Sequence, residues 1–117
     1  MKAVTCHYYV TDSGRMPARG FVESLDSKAQ IKFMFVKGLL EQFGKQLPRP
    51  HAKYLEDGIY EMRFRGGEGH IRVLYFFYHQ NRAIFTNGFV KKQQKIPRNE
   101  KKTAARRKDL FIAKHGG

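Results

Sequence analysis

Cations placed inside apolar strands are the feature that most constrains the fold of this chain. The segment 55–97 predicts three consecutive strands, at about 59–65, 70–78 and 83–91, joined by two short turns. Arg63 and Arg72 lie within the first two strands, and Lys91 closes the third. Because a cation is costly to bury, three neighbouring strands that each carry one predict a sheet face that holds an anion, with phosphate the favoured candidate.

The turn lengths predict which residues face one another across these strands. If Arg65 faces His70 across the glycine-rich turn, then Arg63 stands directly opposite Arg72. A bulge at Asn87-Gly88 would slip the far end of the third strand. Without it, the second turn predicts these further opposite pairs: Tyr78 with Ala83, Phe76 with Phe85, Arg72 with Phe89, and His70 with Lys91.

The cations on this face have a structural alternative. Glu61 lies two residues from Arg63 on the same face and predicts an arginine–glutamate pair. One carboxylate cannot neutralise Arg63, Arg72 and Lys91 together, so the remaining charge favours an anion site. Two opposed arginines repel, so we expect Arg72→Ala to leave stability equal or higher.

Two neighbouring side chains keep two interpretations each. Phe89 is either a core residue or a platform on which a base stacks. His70 is either an ordinary surface histidine or a proton carrier.

The whole chain, residues 1–117, predicts one α+β domain. The predicted order is β-α-α-β-β-β-α, with the helices on one face of a mainly antiparallel sheet. Before the three strands, the sequence predicts a first strand over 3–10, a helix from Pro17 and a second helix from Ser27 to a stop at Gly44, with Gln30 in capping-box spacing to Ser27. A loop over 47–53 follows. After the strands, a terminal helix is predicted over 98–115, with Asn99 as its cap and with Arg106, Arg107 and Lys108 facing out.

The second helix carries an apolar stripe at every fourth residue. Ile31, Phe35, Leu39 and Phe43 form it, and Val36 and Leu40 flank it. Such a stripe packs on the core or forms a groove for a partner. Core packing is the favoured interpretation.

Charge is distributed unevenly along the chain. The net charge is +13; residues 1–87 hold 13 cations and 8 anions, and residues 88–117 hold 10 and 2. The excess predicts a polyanionic partner such as nucleic acid, a ribosome or an acidic protein. A membrane is the weakest candidate, because no apolar run approaches a spanning length.

Cysteine and histidine usage limits the chemistry. Cys6 is the single cysteine, favoured as a small apolar strand residue over a nucleophile, and it predicts no intrachain disulfide. With no signal-peptide pattern after Met1, the sequence predicts a cytoplasmic protein. The five histidines show no metal-ligand spacing, so neither a metal site nor a cofactor is predicted.

Five segments together resemble the RelE/HigB toxins of bacterial type II toxin–antitoxin systems, in the branch also carried by phages and prophages. They are GRMPARGFVESLDSKAQIK at 14–32, LLEQFGKQL at 39–47, KYLEDGIYEMRFR at 53–65, IRVLYFF at 71–77 and GFVKKQQKIP at 88–97. The resemblance implies a compact RelE-like fold and a toxin that cuts mRNA in the ribosomal A site. It also implies a helix-turn-helix antitoxin as partner, through which the pair binds operator DNA.

This function predicts roles for the strand cations. Metal-free RNA cleavage uses the 2′-OH as nucleophile, and Arg63 and Arg72 suit the phosphoryl oxygens. Lys91 is the candidate base if neighbouring cations depress its pKa, and His70 is the alternative proton carrier. The predicted RNA-binding residues are Lys53, Phe89, Lys92, Lys95 and Arg98.

Two other functions fit the same residues. One is a non-catalytic nucleic-acid-binding module that uses the same basic face without any need for a 2′-OH. The other is a toxin of the same fold that inhibits DNA gyrase, as the related ParE group does. The retained strand cations argue against gyrase.

Overall fold

A five-stranded sheet organises the fold, and the computed structural model describes residues 2–117. The strands lie in the order β1-β5-β4-β3-β2, with β1 parallel to β5 and the other neighbours antiparallel. The predicted α+β class is confirmed. The elements are β1 (Thr5–Tyr8), α1 (Pro17–Glu23), α2 (Ser27–Phe43), a 3-10 turn (Gly44–Gln46), β2 (Ala52–Glu56), β3 (Ile59–Gly66), β4 (Gly69–Tyr78), β5 (Arg82–Lys91) and α3 (Arg98–His115).

The edge strand β2 is missing from the sequence prediction, which assigns residues 47–53 to a loop. Pro48 and Pro50 do interrupt the chain there, but β2 then pairs with β3, starting with Ala52 opposite Met62. The strand is short and carries Lys53 in its interior, so it lacks the apolar alternation that predicts strands. A lysine on an edge strand is common, because it discourages pairing with other chains.

Helices cover both faces of the sheet. On one face, α1 and α2 form a core in which Phe33 and Leu40 pack with Met62. On the other face, Ala104 of α3 packs with Phe76. The prediction that all helices share one face is therefore wrong for α3. Every residue of β4 from Ile71 to Phe76 is buried, so both faces of this central strand need cover.

Most of the apolar stripe predicted on α2 does not lie in the core, although Leu39 packs against it and the flanking Val36 and Leu40 are buried. Ile31, Phe35 and Phe43 are exposed, and the buried positions are Ala29, Phe33, Val36 and Leu40. Strict spacing of four residues advances 40° round a helix at each step, because a turn takes about 3.6 residues. The observed 4-3-4 spacing keeps one face inward instead, which leaves the predicted stripe largely in solvent.

The start of α2 is tied to the turn between β3 and β4. Asp26, one residue before the predicted cap, accepts a hydrogen bond from the Ala29 amide at 2.8 Å. Its second carboxylate oxygen accepts one from the Gly67 amide at 2.9 Å. A Cβ at Gly66 would clash with Ala29, which explains why this turn is glycine-rich. At the other end of α2, Gly44 is the predicted stop, with φ of 57°.

The predicted register between β3 and β4 is confirmed throughout, including Arg63 opposite Arg72. Between β4 and β5 the predicted pairs of Arg72 with Phe89 and His70 with Lys91 are also confirmed. Near the second turn the prediction is wrong by one residue: Tyr78 faces Arg82 and Phe76 faces Ile84. The cause is a turn one residue shorter than predicted. A bulge at Thr86, between the partners of Leu74 and Tyr75 and one residue before the predicted bulge position, then restores the predicted pairs beyond it.

Among the described residues, no side chain caps the start of the terminal helix α3. Pro97 occupies the cap position, and Asn99, the predicted cap, lies inside the first turn. Arg107, predicted to face solvent, points inward and donates a hydrogen bond to the Thr86 carbonyl at 2.9 Å. Burial lowers the pKa of Arg107, and its guanidinium lies 5.9 Å from the Tyr9 ring centroid. This arginine therefore fastens α3 to the bulge in β5.

Candidate functional site

Two opposed arginines and one buried glutamate form the centre of the site. Glu61 of β3 reaches Arg63 on its own strand, with Oε1 and Nε 3.5 Å apart. It also reaches Arg72 on β4, with Oε2 and Nε 3.8 Å apart. The structural pair considered in the sequence analysis thus exists, but one carboxylate is shared by two guanidinium groups.

The two arginines differ in their access to solvent. The Arg72 side chain is 5% exposed and that of Glu61 is 2%, whereas that of Arg63 is 29% exposed. Burial lowers the pKa of Arg72 from its ordinary value, and Glu61 opposes this shift. Arg63 is thus the guanidinium that a ligand can reach, while the buried Arg72 contacts the same carboxylate, Glu61, from the neighbouring strand.

Arg72 is incompletely satisfied in its buried position. Its Nη1 donates a hydrogen bond to the Ile71 carbonyl at 3.0 Å. Within residues 2–117, its Nε and the Oε2 of Glu61 have no hydrogen-bond partner. Unsatisfied buried polar groups are costly, so this pair calls for an explanation, and a role in binding or catalysis is one.

His70 lies at the exposed end of the same strand, directly opposite Lys91. Repulsion from Arg65 is the main reason why the pKa of His70 is lowered. Desolvation and repulsion from Arg72, Lys91 and Arg63 add to it. The shift favours the neutral imidazole, the form that accepts a proton.

A cleft of about 640 Å³ opens where the connection between β5 and α3 passes beside β2 and β3. We call it the basic cleft. Its walls carry two carboxylates, Glu56 and Glu61, against a larger number of cations. The cations that line it are Lys53, Arg63, Lys91, Lys95, Arg98 and Lys101.

The basic cleft brings together five of the nine residues predicted from sequence. Arg63 and Lys91 come from the predicted catalytic set, and Lys53, Lys95 and Arg98 come from the predicted RNA-binding set. Lys92 is exposed but does not line the cleft.

The other predicted residues lie elsewhere. His70 and Arg72 line a second cleft of about 420 Å³ at the free end of β3, which we call the edge cleft; Arg63 lines both clefts. Phe89 is buried on the α3 side of the sheet, packed with residues such as Leu74 and Ala104. This placement matches the core alternative, because a buried ring offers no face to a base.

Two features of the basic cleft were missed in the sequence analysis. Lys101 lies three residues after Arg98, a spacing that places both on one side of α3, so helical periodicity could have found it. Its Nζ lies 2.7 Å from the Glu56 Oε1. The burial of the Glu61 side chain could not be predicted from the sequence, because a glutamate between two apolar strand residues normally faces solvent.

The thiol of Cys6 is unsuited to nucleophilic chemistry. Burial raises its pKa to about 12, and the nearby carboxylate of Glu41 adds to the shift. A protonated, partly buried thiol is inert, which agrees with the favoured interpretation of Cys6 as a small apolar residue.

The described part of the chain has neither a cluster of metal ligands nor a membrane-spanning helix. Among residues 2–117, no group of three His, Cys, Asp or Glu side chains is placed to hold a metal ion. Within the same residues, no helix is both long and apolar enough to span a membrane.

Comparison with known proteins gives one family. No curated protein matches the chain. The family described as "Phage derived protein Gp49-like (DUF891)" matches residues 20–109, a range that contains α2 and all the strands from β2 to β5. It therefore covers Arg63, Arg72, Lys91 and every residue that lines the basic cleft. The chain belongs to this family of phage-derived Gp49-like proteins, which is associated with toxin–antitoxin systems.

Proposed function

We propose that this protein is the toxin of a type II toxin–antitoxin pair and cleaves mRNA on the ribosome without a metal ion. The observation that carries the proposal is the pair Arg63–Arg72 on one buried carboxylate, beside a cleft lined by six cations. Single-stranded RNA suits such a cleft, because its phosphates follow one another along the groove. Membership of a toxin–antitoxin-associated family supports the same conclusion.

The proposed reaction is an internal transesterification. The 2′-oxygen of one nucleotide forms a bond to the adjacent phosphorus while the bond from phosphorus to the 5′-oxygen breaks. The products are a 2′,3′-cyclic phosphate and a 5′-OH. The transition state spreads negative charge over the phosphoryl oxygens, where the guanidinium of Arg63 would bind two of them.

Two side chains at the end of strands β4 and β5 would carry out the proton transfers. His70, with its pKa lowered by neighbouring cations, would take the proton from the 2′-OH. Lys91 stands opposite it across the strands and would give a proton to the departing 5′-oxygen. Arg72 would act through Glu61 and Arg63, by fixing the position of the exposed guanidinium.

The test is cleavage in a purified bacterial translation system, read by primer extension on a defined mRNA. We expect cuts phased with codons, and a loss of about 10²–10³ in rate for Arg63→Ala, the size of effect seen when one transition-state donor is removed. Equal degradation of the same RNA without ribosomes would overturn the A-site model. Inhibition of gyrase supercoiling without any RNA cleavage would instead support a ParE-like activity.

The partner is proposed to be a helix-turn-helix antitoxin that docks on the helices. The exposed apolar residues of α2, among them Ile31 and Met34, offer it an apolar surface, and the net charge of +13 favours fast, salt-sensitive association with an acidic protein. Docking there would silence the toxin by excluding it from the A site, and operator binding would come from the antitoxin. Hydrogen exchange on toxin and complex checks this: protection confined to residues 59–91, with residues 17–44 unchanged, would contradict it.

A further inference from the structure

The edge cleft has a structural origin in the uneven length of two strands. Pairing between β2 and β3 begins at Ala52 and Met62, so β3 beyond Met62 has no strand beside it on that side within residues 2–117. One further contact, from the Arg63 amide to the His51 carbonyl at 2.9 Å, closes the end of the pairing. The space between this free end and α2 is the cleft.

The charge of the edge cleft is of one sign. Among the residues that the structure describes, those that line it and can ionise are all basic, with no aspartate or glutamate. The buried Arg72, whose Nε lacks a hydrogen-bond partner, belongs to its wall. Its ionisable residues are Lys32, His51, Arg63, Arg65, His70 and Arg72. Such a wall favours an anionic ligand.

An exposed aromatic ring lines the edge cleft together with these cations. Phe35 of α2 is 59% exposed and meets the His51 imidazole edge-on, with ring centroids 6.4 Å apart. The exposed face of the Phe35 ring is apolar and lies next to several cations. A nucleotide is a ligand that matches the ring and the cations together, because its base stacks on an aromatic ring while its phosphate binds to arginine.

We propose that the edge cleft binds one nucleotide of single-stranded RNA, with the base stacked on Phe35 and the phosphate held between Arg63 and Arg65. The volume of about 420 Å³ is in the range of small-ligand pockets. Arg63 lines both clefts, so a phosphate bound to it would join this nucleotide to the strand in the basic cleft. The proposal rests on the proposed function for its choice of RNA as the ligand.

A matched pair of variants on α2 tests it. Phe35 and Met34 are both 59% exposed, but only Phe35 lines the edge cleft. Binding of a fluorescent hexauridylate to the whole purified protein would be followed by anisotropy at low salt. We expect Phe35→Ala to weaken binding by about 5- to 150-fold, the range of one lost base stack, and Met34→Ala to change it less than about twofold. Phe35→Trp should bind at least as tightly as wild type, which also guards against a folding defect.

A strand without bases separates stacking from charge. On an abasic strand of equal length, Phe35→Ala and wild type should bind alike. An equal loss from Phe35→Ala on the abasic strand or on hexaglutamate would show a surface for acidic proteins and overturn the nucleotide site. Failure of wild type to prefer the base-containing strand would also overturn it.

The proposed function is judged separately. If Phe35→Ala binds hexauridylate normally while the wild type cleaves mRNA on ribosomes, the subsite is wrong and the function stands. If binding depends on Phe35 but no cleavage occurs, the subsite stands and the function is wrong.

Discussion

Replacing Arg72 by alanine should unfold this protein more easily, contrary to what the strand pattern alone predicts. The substitution leaves Glu61 buried, with Arg63 at 3.5 Å as its remaining cationic neighbour, and removes a buried side chain from the sheet. Breaking a buried ion pair from one side costs about 3–5 kcal/mol. For a chain of this size, about 1 kcal/mol corresponds to roughly 4 °C, so we expect the melting temperature to fall by about 10–20 °C.

Thermal melting followed by circular dichroism, with urea titration as a second measure, checks this expectation. The matched control is Arg63→Ala, which removes the more exposed partner of the same carboxylate and should cost about 1 kcal/mol or less. The double variant Glu61→Leu with Arg72→Met removes both buried charges and should regain most of the loss, because apolar replacement of a buried pair is often neutral. A melting temperature for Arg72→Ala within about 3 °C of wild type would refute the reasoning from burial.

Three further variants probe the scaffold and the charge around the site. Gly88→Ala should destabilise by about 1–3 kcal/mol in urea unfolding, because its Cβ would collide with the Phe21 ring of α1; an unchanged midpoint would mean that the ring moves freely. Asp26→Ala should cost about 1–2 kcal/mol in the same assay, since it removes the helix cap and the hydrogen bond to the β3–β4 turn, whereas Asp26→Asn should retain the cap; equal loss from both would show that the cap contributes nothing. His70 should titrate below pH 6.5 by nuclear magnetic resonance, and Arg65→Ala should raise the midpoint; no change on that substitution would exclude Arg65 as the main cause.

The parts of the fold that local turn chemistry fixes could be predicted from sequence. The glycine-rich turn at Gly66–Gly69 fixed the predicted register, and the structure has that register along the whole of β3 and β4. The bulge at Thr86 could not be located in the same way. It depends on contacts from distant parts of the chain, such as the hydrogen bond from Arg107 to the Thr86 carbonyl. Near the second turn the predicted pairs were one residue out because the turn is one residue shorter than expected, and the extra residue at Thr86 compensates for this farther along the strand.

The candidate site was predicted in composition but not in shape. The strand cations Arg63, Arg72 and Lys91 follow from alternation along β3, β4 and β5, which local sequence reveals. The division into two clefts depends on where β2 ends and how residues 92–97 cross to α3, and both are tertiary properties. The exposure of Phe35 was missed for a related reason: a stripe of strict four-residue spacing drifts round the helix, away from the face that meets the sheet.

The extra residue at Thr86 also determines to which face of the sheet each later side chain of β5 points. Before it, Phe85 points toward α1 and α2; after it, the odd-numbered Phe89 points toward α3. The phase of the strand is thus inverted halfway along, and this inversion brings Lys91 to the face that carries Arg72. If Thr86 instead paired as an ordinary strand residue, regular alternation would carry Lys91 to the opposite face. Deleting Thr86 would remove the bulge and leave Lys91 on the face that carries Arg72. In this fold a single unpaired residue therefore sets the side of the sheet on which the charge at the end of β5 lies.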